Sequence, residues 1–446
     1  MADSHTAGYA DFDLRISSEG GKYFAQVLSA PSLADSSEKV ALRTPFFPNV
    51  SMRELMLTLE LAVLKSKGTH RLGGPMSREE GILRDFGSEM YKIVFREPSA
   101  IAAAFQASLM LVEQRREDSP EGLRVKLRVE PPELASLPWE YVYDELRDQY
   151  LCLVPRSPFV RFLSMKHGNT PILMNGPLNI LGMIANPGGA VADLDVEGER
   201  KNIEAAIGEL QQKGDVNFRW VQGDTRQNLS DMMEQQSWHV FHFIGHGGSA
   251  AATLNAGAVA GDGDDDAQGF VVLGDGRGGT QQVFADELKY ILQLNNRETL
   301  RLAVLNCCES ARSASGRAFS SPAAALISAG IPAVVAMQFP ISDQAAVEFS
   351  RRFYASLAQG QSIERAVTSA RVAMMGGRNF EWGIPVLFTA GSAGSLFPRR
   401  TRPADAGVQA GQPPAAAPAD TVSQDFLARQ QIAREELRRL FSGRSA

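Results

Sequence analysis

A chain of 446 residues, 44% hydrophobic and 22% charged, can bury the cores of two or three ordinary domains without disulfides or a structural metal. The formal net charge of −6, with Lys and Arg scattered among acids, leaves no basic stripe with interleaved aromatics and so excludes a nucleic-acid surface of the usual kind. No apolar run reaches the roughly 18 residues of a membrane span, and the polar N-terminus lacks the positive and apolar regions of a signal peptide.

After a disordered stretch at 1–10, residues 11–170 mix short strands and helices. Phe12-Asp13-Leu14-Arg15-Ile16 alternates like a strand, and Tyr23 to Leu28 follows Gly20-Gly21 as in a hairpin. Leucine spacing predicts a helix over 52–65, and an Ala/Leu-rich run predicts another over 99–115. Strands are expected over 123–129 and 152–154.

From 171 to 398 the pattern becomes a regular alternation. Strands are predicted over 178–185, 216–221, 239–244, 302–306, 333–337 and 384–389. Helices fall between them over 196–213, 229–235, 284–294, 321–329, 344–357 and 362–375. Repeated strand–helix units predict an α/β fold with a mostly parallel sheet flanked by helices. Sites in such sheets sit beyond the carboxyl ends of the strands. The Ala/Pro/Gly-rich segment 399–422 reads as a flexible linker. Residues 423–446 are expected to form an amphipathic helix with the narrow stripe Leu427, Ile432, Leu437 and Phe441.

Two strings carry chemistry. Val240-Phe241-His242-Phe243-Ile244-Gly245-His246-Gly247-Gly248 brings an imidazole to a strand end. Ala303-Val304-Leu305-Asn306-Cys307-Cys308-Glu309-Ser310 brings a thiol to another. Three cysteines in all, Cys152, Cys307 and Cys308, are too few and too odd in number for a disulfide framework, which points to the reducing cytoplasm. A thiol becomes a strong nucleophile as the thiolate, and an adjacent imidazolium favours that form. The imidazole then returns its proton to a leaving amine. Within the first string His242 falls mid-strand, while Gly245-His246-Gly247-Gly248 reads as a turn past the strand end. Within the second, Cys307 belongs to the strand as a buried, inert packing residue. The expected pair is therefore Cys308 as nucleophile and His246 as general acid and base. The backbone amides of Gly247 and Cys308 are the expected oxyanion donors. His239 and His242 read as packing or surface residues. The region before Leu163 offers no such pair, because Cys152 reads as mid-strand and His70 as a loop residue.

His242-Phe243-Ile244-Gly245-His246-Gly247 and Leu305-Asn306-Cys307-Cys308-Glu309-Ser310 resemble the paired strings of the CHAT domain, a caspase-like cysteine peptidase family related to separases. Leu137-Pro138-Trp139-Glu140, Ile184-Ala185-Asn186-Pro187, Val334 to Pro340 before Ser342-Asp343, Arg352-Phe353-Tyr354 and Trp382-Gly383-Ile384-Pro385 are similar to further landmarks of that family, in the same order. The resemblance implies a catalytic CHAT domain over 171–398 behind a non-catalytic, pseudo-caspase-like region over 11–170. It implies an endopeptidase acting on protein or peptide substrates, needing no metal or organic cofactor, and held inactive until a sensor or protein partner signals. Bacterial defence and programmed cell death are the settings it implies. It also implies that an acid at the position of Asp343 recognises a basic P1 side chain, whereas other relatives place that acid where this chain has neutral Asn306.

Blander readings stand beside these. Asp343 reads equally as the cap of the helix that follows it. The acidic loop 261–266 does not match a twelve-residue calcium loop with a terminal Glu and reads as a solvated loop. No Gly-x-Gly-x-x-Gly or Walker-type string offers a nucleotide site. The alternatives to a peptidase are a catalytically silent caspase-like adaptor and a peptide ligase that uses the same thiol.

Overall fold

The structure, a computed structural model, describes residues 8–48, 50–66, 77–95, 99–114, 121–163, 171–187, 195–249, 269–307, 322–375, 380–391 and 395–398. Cys308, the acidic loop 261–266, the linker and the C-terminal helix expected from the sequence lie outside the described residues.

The first part of the chain contributes β1 (Ala10–Glu19), β2 (Lys22–Ser29), β3 (Val40–Ala41), β4 (Leu123–Val129), β5 (Tyr143–Asp144), β6 (Gln149–Tyr150) and β7 (Phe159–Phe162). Its helices are α1 (Met52–Lys65), α2 (Arg78–Val94), α3 (Ala100–Glu113) and the single turn α4 (Pro132–Ala135). Then come β8 (Leu178–Ile184), α5 (Val196–Gln212), β9 (Val216–Trp220), α6 (Arg226–Gln235), β10 (Val240–Ser249), β11 (Gly269–Gly274), β12 (Thr280–Phe284) and α7 (Ala285–Gln293). The last elements are β13 (Leu302–Cys307), α8 (Pro322–Ser328), β14 (Ala333–Met337), α9 (Asp343–Ala358), α10 (Ile363–Met374) and β15 (Pro385–Thr389).

Most strands join one sheet, ordered β9-β8-β10-β13-β14-β15-β7-β4-β1-β2-β3. Parallel pairs dominate, while β14–β15 and the β1–β2–β3 edge are antiparallel. The seam between the earlier and later strands is β15–β7, with Phe388 opposite Arg161. The alternating side chains sort cleanly. Ile180, Val240, Ile244, Leu302, Val304, Val335 and Met337 pack on one face with residues of α5, α9 and α10. Leu181, Met183, Phe241, Phe243, Leu305, Cys307 and Ala336 pack on the other with residues of α6, α7 and α8. Strands buried on both sides read as continuous apolar runs, which is why these were the ones visible in the sequence.

Three expectations change. Cys152 sits not in a strand but in a 3-10 turn, Leu151–Leu153, where its buried thiol donates to the Glu140 carbonyl at 2.9 Å and burial pushes its pKa up to about 12. Its apolar neighbours are satisfied equally by a buried turn. Helix α2 replaces an unassigned stretch, opened by a capping box in which Ser77 and Glu80 satisfy each other's backbone amides. The segment after Gly245 is not a turn. It continues β10 to Ser249, because β11 pairs with it antiparallel, His246 opposite Val272 and Gly247 opposite Val271.

Two buried histidines are held neutral. The Asn179 amide donates to Nδ1 of His239 at 2.9 Å, and burial, helped by Arg301, pushes this ring down to about 4. His242 shares a 2.5 Å hydrogen bond with the Tyr354 hydroxyl, and burial pushes it down to about 4 as well. An unfolded histidine takes up its proton near pH 6.5. Between that value and 4 the unfolded chain therefore binds more protons, so stability is complete above pH 6.5 and falls as pH drops through this window. The loss is on the order of 2–3 kcal/mol per ring at most. Urea unfolding at pH 7 and pH 5 checks this: wild type should weaken on acidification, His242→Gln should show a shallower pH slope, and equal slopes would refute it.

Candidate active site

The site begins with the pairing of two strands. β10 and β13 run parallel with Ile244 opposite Asn306 and Gly245 opposite Cys307. His246 and Cys308 are thus the residues that immediately follow a paired couple. His246 is half-buried, and its place in the alternation after His242 and Ile244 puts it on the face packed by α5 and α9. Cys307 is buried on the opposite face. The glycine at 247 confirms that the pleat runs on past Gly245: a Cβ there would stand 3.0 Å from the Cys307 sulfur and 3.0 Å from the Phe270 carbonyl oxygen. A side chain at 247 would therefore have to push that thiol or β11 back by a few tenths of an ångström.

The other expected residues distribute as follows. Asn306 is half-buried on β13, on the face shared with Val304 and His246. Asp343 is exposed in the first turn of α9. It does not cap that helix, because Ser342 is the N-cap, its hydroxyl accepting the Ala345 amide at 3.4 Å. Both residue types suit a cap, and the structure uses the earlier one, which frees Asp343 to face outward. Asp343 is not alone. Glu199, half-buried in the first turn of α5, has its carboxyl pushed up by burial and then by Asp343 and Asp195, so the three carboxylates lie within electrostatic reach of one another. Asp195 caps α5, accepting the Gly198 amide at 2.9 Å. Helices α5 and α9 pack side by side on one face of the sheet, so their N-termini bring these acids together near the carboxyl ends of β8 and β14.

The turn leading to Asp343 is held from below. Gln338, buried directly after β14, donates to the Glu140 carboxylate at 2.9 Å and to the Gly383 carbonyl at 2.6 Å. Glu140 in turn accepts from buried Arg161 at 3.1 and 2.6 Å, and Arg161 also donates to the carbonyls of Ala135 and Leu137. The Leu137-Pro138-Trp139-Glu140, Gln338 and Trp382-Gly383 landmarks thus meet in one buried network. Gly383 packs so closely on the Tyr141 ring that no side chain fits there. Sequence reasoning did not find this role for Glu140 and Gln338, since they are 198 positions apart. Buried carboxylate and guanidinium types in otherwise apolar strings were the available signal.

In this open α/β sheet the strand that bears His246 and the strand that bears Cys307 are neighbours. The CHAT domain model matches residues 85–410, and the chain belongs to that family. No curated protein matches the sequence. Among solved structures, the separase of the Saccharomyces cerevisiae separase–securin complex aligns over 86% of this chain and 30% of its own, with 11% identity and a TM-score of 0.45. The chain therefore spans under a third of that separase chain. The Arg-specific cysteine proteinase gingipain R aligns over 72% of this chain and 76% of its own, with 14% identity and a TM-score of 0.40. A structure described as a protease aligns over 84% and 81%, with 11% identity and a TM-score of 0.38. Among the described residues no helix is long and apolar enough to cross a membrane.

Two measurements test the local physics. Gly247→Ala should destabilise the protein by roughly 1–3 kcal/mol through overpacking against Cys307 and β11. Glu140→Ala should cost about 3–5 kcal/mol, because it strands the buried Arg161 charge. Denaturant midpoints for both variants check these values; a Glu140→Ala midpoint like that of wild type would show the ion pair to be dispensable.

Proposed function

We propose that this chain is a regulated cysteine endopeptidase in which Cys308 attacks the scissile carbonyl and His246 moves the proton. The observation that carries the reading is the register of β10 against β13. Gly245 stands opposite Cys307, and the residue that follows each in the sequence is the one the chemistry needs. Asn306 and His246 share one face of the sheet, at the carboxyl ends of the two strands. The buried Cys307, on the opposite face, is unsuited to the task.

His246 takes the Cys308 thiol proton, and the thiolate adds to the peptide carbonyl. The oxyanion draws on the backbone amides of Gly247 and Cys308. Collapse of the adduct expels the amine, which leaves with the proton from the imidazolium, and a thioester remains. Water, deprotonated by His246, then attacks the thioester, releases the acid product and restores the thiol. No metal or organic cofactor is needed for these steps.

Asp343 supplies the P1 preference in this reading. An exposed carboxylate backed by Glu199 and Asp195 at the sheet's carboxyl edge favours a substrate Arg or Lys. Residues 171–398 form the catalytic domain, and residues 11–170 a non-catalytic region that positions the turn before Asp343. A sensor or partner protein in the cytoplasm supplies the trigger, in a bacterial defence or cell-death setting.

A covalent cysteine probe and a peptide library, each with cell lysate added to supply an activator, test the proposal. Wild type should label at Cys308 and cut after Arg or Lys. Cys308→Ala should lose labelling and at least about a thousandfold in kcat/KM, with His246→Ala similarly impaired in cutting. Asp343→Ala should lose about 10- to 100-fold for Arg at P1. Product masses separate hydrolysis from ligation. Wild type that neither labels nor cuts would leave the adaptor role as the better account.

A further inference from the structure

Glu381 opens the 3-10 turn Glu381–Gly383 and is 1% exposed. Its carboxylate accepts two hydrogen bonds from one residue, the Ser342 amide at 2.7 Å and the Ser342 hydroxyl at 2.7 Å. Ser342 immediately precedes Asp343. The same 3-10 turn also grips the other end of this segment. Gln338 donates its amide to the Ile384 carbonyl at 3.1 Å and its side chain to the Gly383 carbonyl at 2.6 Å. The turn is itself fixed by the Tyr141 hydroxyl on the Phe380 carbonyl at 2.6 Å and by the Trp382 ring against Tyr150, with centroids 4.6 Å apart.

A serine N-cap by itself satisfies the first turn of a helix. Burying a carboxylate to bind that serine twice adds nothing the helix requires, and it costs desolvation. What it adds is orientation. With Gln338 and Ser342 both clamped, the segment between them has its ends fixed, and the direction in which Asp343 leaves the clamp is set. The charge also lies at the N-terminus of α9, where the helix dipole favours it.

We infer that Glu381 is a specificity-determining positioning residue: it fixes Asp343 for the P1 side chain through Ser342, without touching substrate. This rests on the peptidase reading and on Asp343 as the P1 partner. The test compares wild type, Glu381→Ala, Glu381→Gln and Ser342→Ala on peptides with Arg at P1. It also compares the rate at which iodoacetamide, which has no P1 group, alkylates Cys308. Glu381→Ala should raise KM for the Arg peptide about tenfold, as expected for losing hydrogen bonds to a charged group, with kcat within about twofold of wild type. Alkylation should be unchanged. Glu381→Gln, which keeps an acceptor oxygen, and Ser342→Ala should fall between. Unchanged KM in Glu381→Ala, or a parallel collapse of kcat and alkylation in all three variants, would overturn the inference while leaving the peptidase intact. A wild type that cuts nothing, or cuts only after non-basic residues, would instead remove the reading beneath it.

Discussion

The architecture depends on one buried guanidinium. Arg161 lies on β7 at the seam with β15, where the earlier and later strands become a single sheet. Its donors are spent on two carbonyls of the 135–137 turn and on both oxygens of Glu140. Glu140 then takes Gln338, and Gln338 takes Gly383. In a low-dielectric interior such a set stabilises the fold only when every member is satisfied, and losing one leaves a charge that water cannot reach. The turn after β14 is therefore not free to drift relative to β7. The region before residue 170, which carries no chemistry of its own in the proposed mechanism, fixes the ground on which Asp343 stands.

β10 is under a second constraint, imposed by packing on both faces. Phe241 and Phe243 are buried on one side, while His242 meets Tyr354 on the other. The strand then runs on through three glycines that let neighbours come unusually near. Phe243 and the Ala185 carbonyl crowd Gly245, Cys307 crowds Gly247, and the Phe270 ring crowds Gly248. His246 thus stands on a paired strand, not on a loop. Its orientation is set by backbone hydrogen bonding on β11 as well as by its own contacts. A side chain held this way has little freedom left to lose, the advantage of building on regular structure.

What could be read from the sequence follows the same physics. Strands β8, β10, β13 and β14 announced themselves because burial on both faces leaves uninterrupted apolar runs, and α1, α5, α9 and α10 because one face is apolar at helical spacing. Hairpin β11–β12 was missed because Thr280-Gln281-Gln282 is polar and a long Gly/Asp/Ala-rich stretch precedes β11. Glycine-rich Gly245-His246-Gly247-Gly248 imitates a turn by composition alone; only a distant partner strand makes it extended. At α9 two adjacent residues of capping type compete, and sequence does not say which is used. The links Glu140–Gln338 and Glu381–Ser342 are tertiary, so no local pattern reports them, although the residues themselves lie within or beside recognisable strings.

Cys307 shows how strand geometry commits a side chain to one face. In a pleated strand the side-chain period is two, so neighbours face opposite ways. Cys307 is spoken for: its sulfur fills the space beneath Gly247, in the core built with α6, α7 and α8. That contact also works as a key to register. Sliding β13 by one residue would drive the sulfur to the face of Ile244 and put the Asn306 amide into the apolar side, stranding a polar group. With the register locked by Cys307, Asn306 keeps the face it shares with His246. On this argument the first cysteine fixes the register of β13, and the proposal assigns the chemistry to the second.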